Sequence, residues 1–278
     1  MPLGPLQRRL AARQVRRIER LAATPGFRRL REVVLELAQP APGERVLDVG
    51  AGTGLLTLPS AARAARVTAV DISPAMCARL QRLLSERGVD NVTVVCADAA
   101  ALPLPDDSVD LAISNYCLHH LDDHGKERAL GELARVLAPG GRLVIADMMF
   151  RLSLAGERDR RLLARFAVRM LRRGPAGLLR LAKNAAKLAV ASSEHPADPE
   201  WWRLALQRAG LRDVRVIALE HEGGVACARS PAQGAGAPRS PASPAQDAGA
   251  PRCPASPAHG AGEPHRSRPP AAGSPARR

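Results

Sequence analysis

The chain has 278 residues, of which 46% are apolar, so it is long enough for one large domain or two small ones with a sizeable core. It contains no run of 18 apolar residues, which argues against a membrane-spanning helix, and its first ten residues lack the apolar core of a secretion signal. The five cysteines are dispersed without a CxxC pair, which argues against a disulfide framework or a zinc site. We therefore expect a cytoplasmic protein that holds no metal.

The net charge of +14 is unevenly distributed along the chain. Residues 33–150 carry 10 basic and 15 acidic side chains, whereas residues 151–190 carry 11 basic and 2 acidic ones. Only three of the 41 basic residues are lysines, and such an excess of arginine is typical of a GC-rich coding bias. Aromatic residues make up 2% of the chain, which is too few for base-stacking platforms, so the composition disfavours a nucleic-acid partner.

The predicted elements begin with two helices, one over residues 5–22 and one from Thr24-Pro25 to the prolines at positions 40 and 42. From residue 45 onwards, short apolar strands alternate with helices. The predicted strands are 45–49, 67–71, 92–97, 111–114 and 142–146, and the helices between them are 55–65, 74–87 and 126–137. Strands separated by helices of this length indicate βαβ units and a parallel sheet that is covered on both faces.

The second half of the chain departs from this alternation. Residues 155–190 are typical of two Arg-rich helical stretches, and a helix is predicted over 199–209. Two strands, 214–219 and 225–229, are predicted to form a β-hairpin with its turn at Gly223-Gly224.

The chain beyond residue 229 is a repeat rich in Ser, Pro, Ala and Gly, with copies that start at residues 230, 243 and 256. Such a segment has too little apolar bulk to offset its ordering entropy. We therefore predict N-terminal helices over residues 1–40, an α/β domain over residues 41–229 with a variable insert at 151–195, and a disordered tail over residues 230–278.

The strongest single motif is VLDVGAGTG, at residues 46–54, where the first predicted strand ends. Its three glycines permit positive φ angles and close approach of a ligand, and the helix that follows offers free N–H groups. The dinucleotide fingerprint G-x-G-x-x-G is not present, because its third glycine would fall on Leu55. Asp48, two residues before the first glycine, suits a cationic ligand better than a pyrophosphate.

This loop resembles the cofactor loop of class I S-adenosylmethionine-dependent methyltransferases of the ubiquinone/menaquinone-methyltransferase-like group, which have a methyltransferase type 11 domain. The resemblance covers about residues 30–229 and includes four more segments: AVDIS with Asp71, CADAAALPLPDDSVD with Asp98, SNYCLHHLDD at 114–123 and RVLAPGGRLVIAD at 135–147. It implies an α/β fold: a doubly wound, Rossmann-like, mostly parallel seven-stranded sheet with a C-terminal β-hairpin, a helical N-terminal extension and a helical lid insert.

The resemblance also implies roles for single residues. Asp71 would accept the ribose hydroxyl groups of S-adenosylmethionine, Asp98 would accept the adenine amino group, and the Ala99 N–H group would donate to the adenine ring. The predicted cofactor-binding residues are Asp48, Gly50, Ala51, Gly52, Gly54, Asp71, Ile72, Asp98, Ala99 and Asn115.

Residues after the fourth predicted strand are expected near the methyl group that is transferred. His120, His119 and Tyr116 are candidates for a general base, which is needed only if the acceptor must lose a proton. Asp122-Asp123 is predicted to cap the following helix rather than to take part in chemistry.

The predicted reaction is an in-line displacement in which the protein aligns the acceptor and excludes water. Two motifs of base-methylating enzymes are absent: Ser114-Asn115-Tyr116-Cys117 lacks the two prolines used for amino-group methylation, and no cysteine of the domain follows a proline. A small-molecule or lipid-like acceptor is therefore favoured over a nucleic acid.

Two alternatives stay open. The first alternative is an RNA-modifying methyltransferase that binds phosphate groups with its Arg-rich helices. The second is a non-catalytic protein that binds the cofactor. The basic amphipathic insert also predicts peripheral contact with an anionic membrane, with a soluble lid as the alternative. The sequence does not predict an oligomeric state.

Overall fold

The computed structural model describes residues 15–16, 19–20, 24–150, 160–161, 164, 168, 195–219 and 223–232. The strands are β1 (Arg45–Val49), β2 (Arg66–Asp71), β3 (Val92–Cys96), β4 (Val109–Asn115), β5 (Leu137–Met148), β6 (Arg212–Ala218) and β7 (Gly223–Arg229). The helices are α1 (Pro25–Ala38), α2 (Thr57–Ala61), α3 (Pro74–Glu86), α4 (Asp123–Val136) and α5 (Pro199–Arg208), with a 3₁₀ helix at Leu118–His120.

The seven strands form one sheet in the order β3-β2-β1-β4-β5-β7-β6. Strands β1 to β5 are parallel, whereas β7 pairs antiparallel with both β5 and β6. From β1 the chain builds outward to β3 on one side and then to β5 on the other, so the winding reverses between β1 and β4. Open α/β sheets bind ligands at such a point, beyond the carboxyl ends of the strands. The predicted α/β fold with a doubly wound, seven-stranded sheet is confirmed.

Several predicted boundaries differ from the structure, and the contacts explain three of these differences. Gly223 and Gly224 are not in a turn, because they pair with Met148 and Asp147 as the first residues of β7. Strand β5 starts at Leu137 rather than at residue 142, because the register with β4 shifts between Val109 and Leu111 and leaves the PGG segment as a bulge within the strand.

Helix α2 ends at Ala61, before the predicted end at residue 65. The Asn91 side-chain amide donates to the carbonyl oxygens of Ala61 and Ala64, at 2.8 and 3.2 Å, and so satisfies carbonyl groups that a longer helix would use. The predicted cap of α4 is confirmed, since Asp122 accepts a hydrogen bond from the N–H of Gly125 at 2.7 Å.

The core lies on both faces of the sheet because successive strand residues point to opposite sides. On one face, α4 and α5 pack around the fully buried Trp202, together with Leu47 and Ile145. On the other face, α1 places Leu30 and Val34 against the strands. Each fully buried side chain of this size contributes about 1.5–3 kcal/mol to stability, so these contacts fix the strand ends in place.

The described residues leave several predictions without a test. Residues 15–16 and 19–20 are helical, as are residues 160–161, 164 and 168 of the insert. The remainder of the insert up to residue 194, and the repeat from residue 233 onwards, lie outside the described residues. Within the described part of the chain, no helix combines the length and the apolar character that crossing a membrane requires.

Candidate functional site

The loop after β1 has a shape that its glycines make possible. Gly50, Gly52 and Gly54 have φ angles of 72°, 52° and 86°. A Cβ atom on Gly50 would lie 2.2 Å from the Sγ atom of Cys117, and one on Gly54 would lie 2.6 Å from the Cδ1 atom of Leu80. At Gly52 the nearest atom would be a carbonyl oxygen 3.9 Å away, so this part of the backbone is open to a ligand.

Asp71, at the end of β2, holds this loop. Its Oδ2 atom accepts the N–H of Gly52 at 2.8 Å, and its Oδ1 atom accepts the N–H of Ser73 at 2.8 Å. Burial raises the pKa of Asp71, and the two N–H donors act in the opposite direction. The loop is also fixed by Ala51, whose N–H donates to the Val70 carbonyl oxygen at 3.0 Å. Next to Asp71, Ile72 is 67% exposed and offers an apolar surface at the carboxyl end of β2.

Asp48 lies beneath the loop. Its side chain is buried, and the Thr57 hydroxyl group donates to its Oδ2 atom at 2.6 Å, which joins β1 to α2. Burial raises the pKa of Asp48 to about 7, although the hydrogen bond from Thr57 lowers it.

Cys117 packs against the glycine loop at Gly50, and the charges of four carboxyl groups act on its thiol. Burial is the largest cause that raises the pKa of the Cys117 thiol, and the charges of Asp147, Asp71, Asp48 and Asp98 raise it further. The thiol therefore stays protonated and is a poor nucleophile. The carboxyl groups of Asp71 and Asp48 beside the loop favour a cationic ligand and disfavour a pyrophosphate.

Asp98 begins the loop after β3. Its Oδ1 atom accepts the N–H of Ala100 at 2.9 Å, and its carbonyl oxygen accepts the N–H of Ala101 at 3.1 Å, so residues 98–101 form a tight turn around Ala99. The N–H of Ala97 donates to the Asp71 carbonyl oxygen at 3.1 Å, which ties the ends of β2 and β3 together.

The turn after β4 is strained and aromatic. The Oδ1 atom of Asn115, the last residue of β4, is buried and has no hydrogen-bond partner among the described residues. Tyr116 has a φ of 53°, which bulky residues rarely adopt and which costs on the order of 1–3 kcal/mol. Its ring centroid lies 4.7 Å from that of Phe27 on α1 and 5.7 Å from that of His119.

His119 is paired with a residue that the sequence analysis did not single out, Asp147 at the end of β5. Their Nδ1 and Oδ1 atoms are 2.6 Å apart, and the side chains are 6% and 0% exposed. Asp147 also accepts the N–H groups of Leu118, His119 and Met148, at 2.8, 3.1 and 2.7 Å. A carboxylate that closes an apolar strand was the signal in the sequence that could have indicated it.

His120 differs from His119 in its surroundings. It is exposed, its ring centroid lies 4.1 Å from that of His119, and its charge acts on Asp71 in the direction that lowers the pKa of that carboxyl group. His120 is therefore near enough to Asp71, which holds the glycine loop, for the two side chains to interact electrostatically.

The structure thus brings all the predicted site residues to the carboxyl end of the parallel strands. They lie at the carboxyl ends of β1 to β4 or in the loops that follow directly, although Asp48 faces the interior beneath the loop. Their contacts with a ligand remain predictions.

Residues 46–141 match the protein family described as "Methyltransferase domain". This part of the chain is a methyltransferase domain. The family resemblance that the motifs indicated is therefore confirmed.

Two relatives show how far the similarity extends. The methyltransferase domain is similar to a demethylmenaquinone methyltransferase of Thermus thermophilus, with 39% identity over 132 residues, 47% of this chain and 59% of the relative. It is also similar to the ubiquinone/menaquinone biosynthesis C-methyltransferase UbiE of Vibrio vulnificus, with 37% identity over 127 residues, 44% of this chain and 48% of the relative. The chain thus spans about half the length of these relatives.

The fold extends beyond the matched residues. A crystal structure of a SAM-dependent methyltransferase from Aquifex aeolicus superposes with a TM-score of 0.54 and 22% identity, over 77% of this chain and 97% of that one. At this identity the likeness shows the shared fold.

Proposed function

We propose that this chain is an enzyme that transfers a methyl group from S-adenosylmethionine to a small-molecule or lipid-like acceptor. The observation that carries the proposal is the open glycine loop of a methyltransferase domain, which Asp71 holds through the Gly52 N–H group and beneath which the carboxyl group of Asp48 is buried. S-adenosylmethionine carries a positive sulfonium group, which such a site attracts.

The residues present fit this cofactor. Each carboxylate oxygen of Asp71 accepts one N–H group and has a second lone pair left, so both oxygens can accept a ribose hydroxyl group. Asp98 would accept the adenine amino group, Ala99 would donate to the ring, and the exposed Ile72 would cover one face of it. The open backbone at Gly52 would lie against the amino-acid part of the cofactor.

The sulfonium group supplies the reactivity, so the protein must orient the acceptor and exclude water. The Nδ1 atom of His119 lies 2.6 Å from the Oδ1 atom of Asp147, and this contact fixes the orientation of the buried ring. The exposed His120 is the ring that an acceptor would meet first. For an acceptor that loses a proton, we propose His120 as the base and the His119–Asp147 pair as the support of its turn.

An apolar, lipid-like acceptor is favoured over RNA by three observations. The rings of Phe27 and Tyr116 lie beside the turn after β4, the names of the two relatives above refer to demethylmenaquinone and to quinone biosynthesis, and the proline motif for base amino groups is absent. In-line displacement follows from the sulfonium chemistry and is part of the same proposal.

The experiment that tests this function follows labelled methyl groups from S-adenosylmethionine to acceptors. The full chain is incubated with demethylated quinones, phospholipid extracts and RNA in separate reactions, with Gly50→Val as the inactive control because its side chain would collide with Cys117. We expect label in the quinone or lipid product only. Label in RNA alone would support the RNA alternative, and cofactor binding without transfer to any acceptor would support a non-catalytic protein.

Peripheral membrane contact is a separate proposal, which rests on the Arg-rich composition of residues 151–190. Co-sedimentation of the full chain with anionic vesicles, but not with neutral ones, is the expected result. Equal recovery in the supernatant with both kinds of vesicle would contradict it.

A further inference from the structure

The loop that carries the proposed adenine contacts has no helix or strand of its own. It runs from Asp98 to Ser108, between the end of β3 and the start of β4. A loop of this kind keeps a defined position only if neighbouring side chains hold it, because its backbone groups lack the regular partners of a helix or strand.

Helix α4 provides these partners through two side chains one turn apart. The guanidinium group of Arg135 donates to the carbonyl oxygen of Leu102 at 3.0 Å, to that of Leu104 at 2.8 Å and to the Asp106 carboxylate at 2.6 Å. Glu132 accepts the N–H of Leu102 at 2.8 Å. Both backbone groups of Leu102 are thus bound by this helix, and the Leu102 side chain is buried in the core.

Glu132 and Arg135 also fix one another. The two oxygens of Glu132 accept from Nε and Nη2 of Arg135, both at 2.8 Å, and this hydrogen bonding raises the pKa of Arg135. Both side chains are about four-fifths buried. The planar guanidinium fork serves a carboxylate and the loop carbonyls at once, which the single ammonium group of a lysine cannot do.

We propose that Arg135, held by Glu132, is a positioning residue that sets the base selectivity of the cofactor site. By fixing Leu102 and Leu104, it fixes the turn at residues 98–101 and therefore the position of Asp98 relative to the amino group of adenine. Arg135 acts through the loop and contacts no ligand itself. The inference rests on the proposed function, since the adenine contacts belong to it.

Two ligands that differ only in the base test this role. S-adenosylhomocysteine has the amino group from which Asp98 would accept a hydrogen bond, and S-inosylhomocysteine has a carbonyl oxygen in its place. A loop held in position should favour the adenosyl ligand, and a displaced loop should lose that preference. A general loss of stability would instead weaken both ligands by the same factor.

The measurement is the ratio of the two dissociation constants for the full chain, by calorimetric titration at a temperature where every variant is folded. The variants are Arg135→Lys and Glu132→Gln, with Arg128→Lys as the control, because Arg128 lies on the exposed face of the same helix. We expect the selectivity ratio to fall about fivefold in the first two variants and to stay unchanged in the control.

Two outcomes would overturn the inference, and they are distinguishable. If both ligands weaken equally in Arg135→Lys and Glu132→Gln, or if neither changes, the pair has no role in selectivity while the proposed function stands. If the unmodified chain binds neither ligand, the proposed function itself fails and this inference with it.

Discussion

Asp48 carries a carboxyl group whose ionisation the fold opposes. Burial raises its pKa to about 7, from an ordinary value of 3.8. Between these two values the folded chain keeps a proton that the unfolded chain has released, so stability falls as the pH rises through this window. Above pH 7 the full cost of the buried charge is present, and below the ordinary pKa there is none.

The variant Asp48→Asn removes this cost and keeps an oxygen that can accept from Thr57. We expect the variant to unfold at a higher temperature than the parent at pH 8, and the difference to shrink towards zero as the pH is lowered to 4. Each kcal/mol corresponds to about 2–4 °C for a domain of this size. Thermal unfolding at several pH values, with the exposed Asp90→Asn as control, measures this. A difference that is constant with pH would contradict the account of Asp48.

Asp147 joins β5 to the turn after β4, because its side chain takes part in four hydrogen bonds. In Asp147→Asn, an amide nitrogen would face N–H donors and at least one of these bonds would be lost. We expect a loss of about 1.5–3 kcal/mol in unfolding free energy, measured by denaturant titration. His119→Gln should lose less, since the bonds to the backbone of Leu118 and Met148 remain. A greater loss in His119→Gln than in Asp147→Asn would contradict the assigned role.

Among the elements, α1 contributes the aromatic ring of Phe27 to the region where we propose that the methyl acceptor binds. In Phe27→Leu the contact with the ring of Tyr116 is lost. We expect the KM for the acceptor to rise severalfold while the dissociation constant of S-adenosylmethionine stays the same, measured by steady-state kinetics and calorimetry. Leu37→Ala, at an exposed position of the same helix, serves as the control. Weaker cofactor binding with an unchanged acceptor KM would place Phe27 on the cofactor side instead.

The sequence predicts most strands and the glycine loop because their signals are local. Apolar runs between helices indicate buried parallel strands, and three glycines within five residues indicate the loop. The pairing of His119 with Asp147 is not local, since it depends on β4 and β5 being neighbours in the sheet. The bulge in β5 and the start of β7 at Gly223 also depend on register between strands. Sequence patterns indicate which face a residue occupies, but they do not fix register.

At the scale of the whole molecule, the first residues of the tail, 230–232, lie at the opposite end of the strands from the site. The chain leaves the domain where Ser230 donates to the Gly141 carbonyl oxygen at 2.8 Å and Gly140 donates to that of Pro231 at 3.2 Å. Gly140 and Gly141 precede the continuous buried run of β5, residues 143–147, whereas the site lies at the carboxyl ends of the parallel strands.

Shortened chains test this arrangement. A chain that ends after Ala232 should keep the cofactor affinity and melting temperature of the full chain. A chain that ends after Arg229 loses both of these backbone hydrogen bonds, each of about 0.5–1.5 kcal/mol, and should melt a few degrees lower. Calorimetry and thermal unfolding measure the two properties. Weaker cofactor binding by the chain that ends after Ala232 would show that the tail reaches the site.

The central claim is that the glycine loop, with Asp71 and Asp98 after the neighbouring strands, forms a site for S-adenosylmethionine. Calorimetric titration of the full chain with S-adenosylmethionine and S-adenosylhomocysteine tests it most directly, with Asp71→Ala beside the exposed Asp90→Asn. The account predicts micromolar binding that weakens strongly in Asp71→Ala and stays unchanged in Asp90→Asn. No binding of either ligand, by protein shown to be folded, would contradict it.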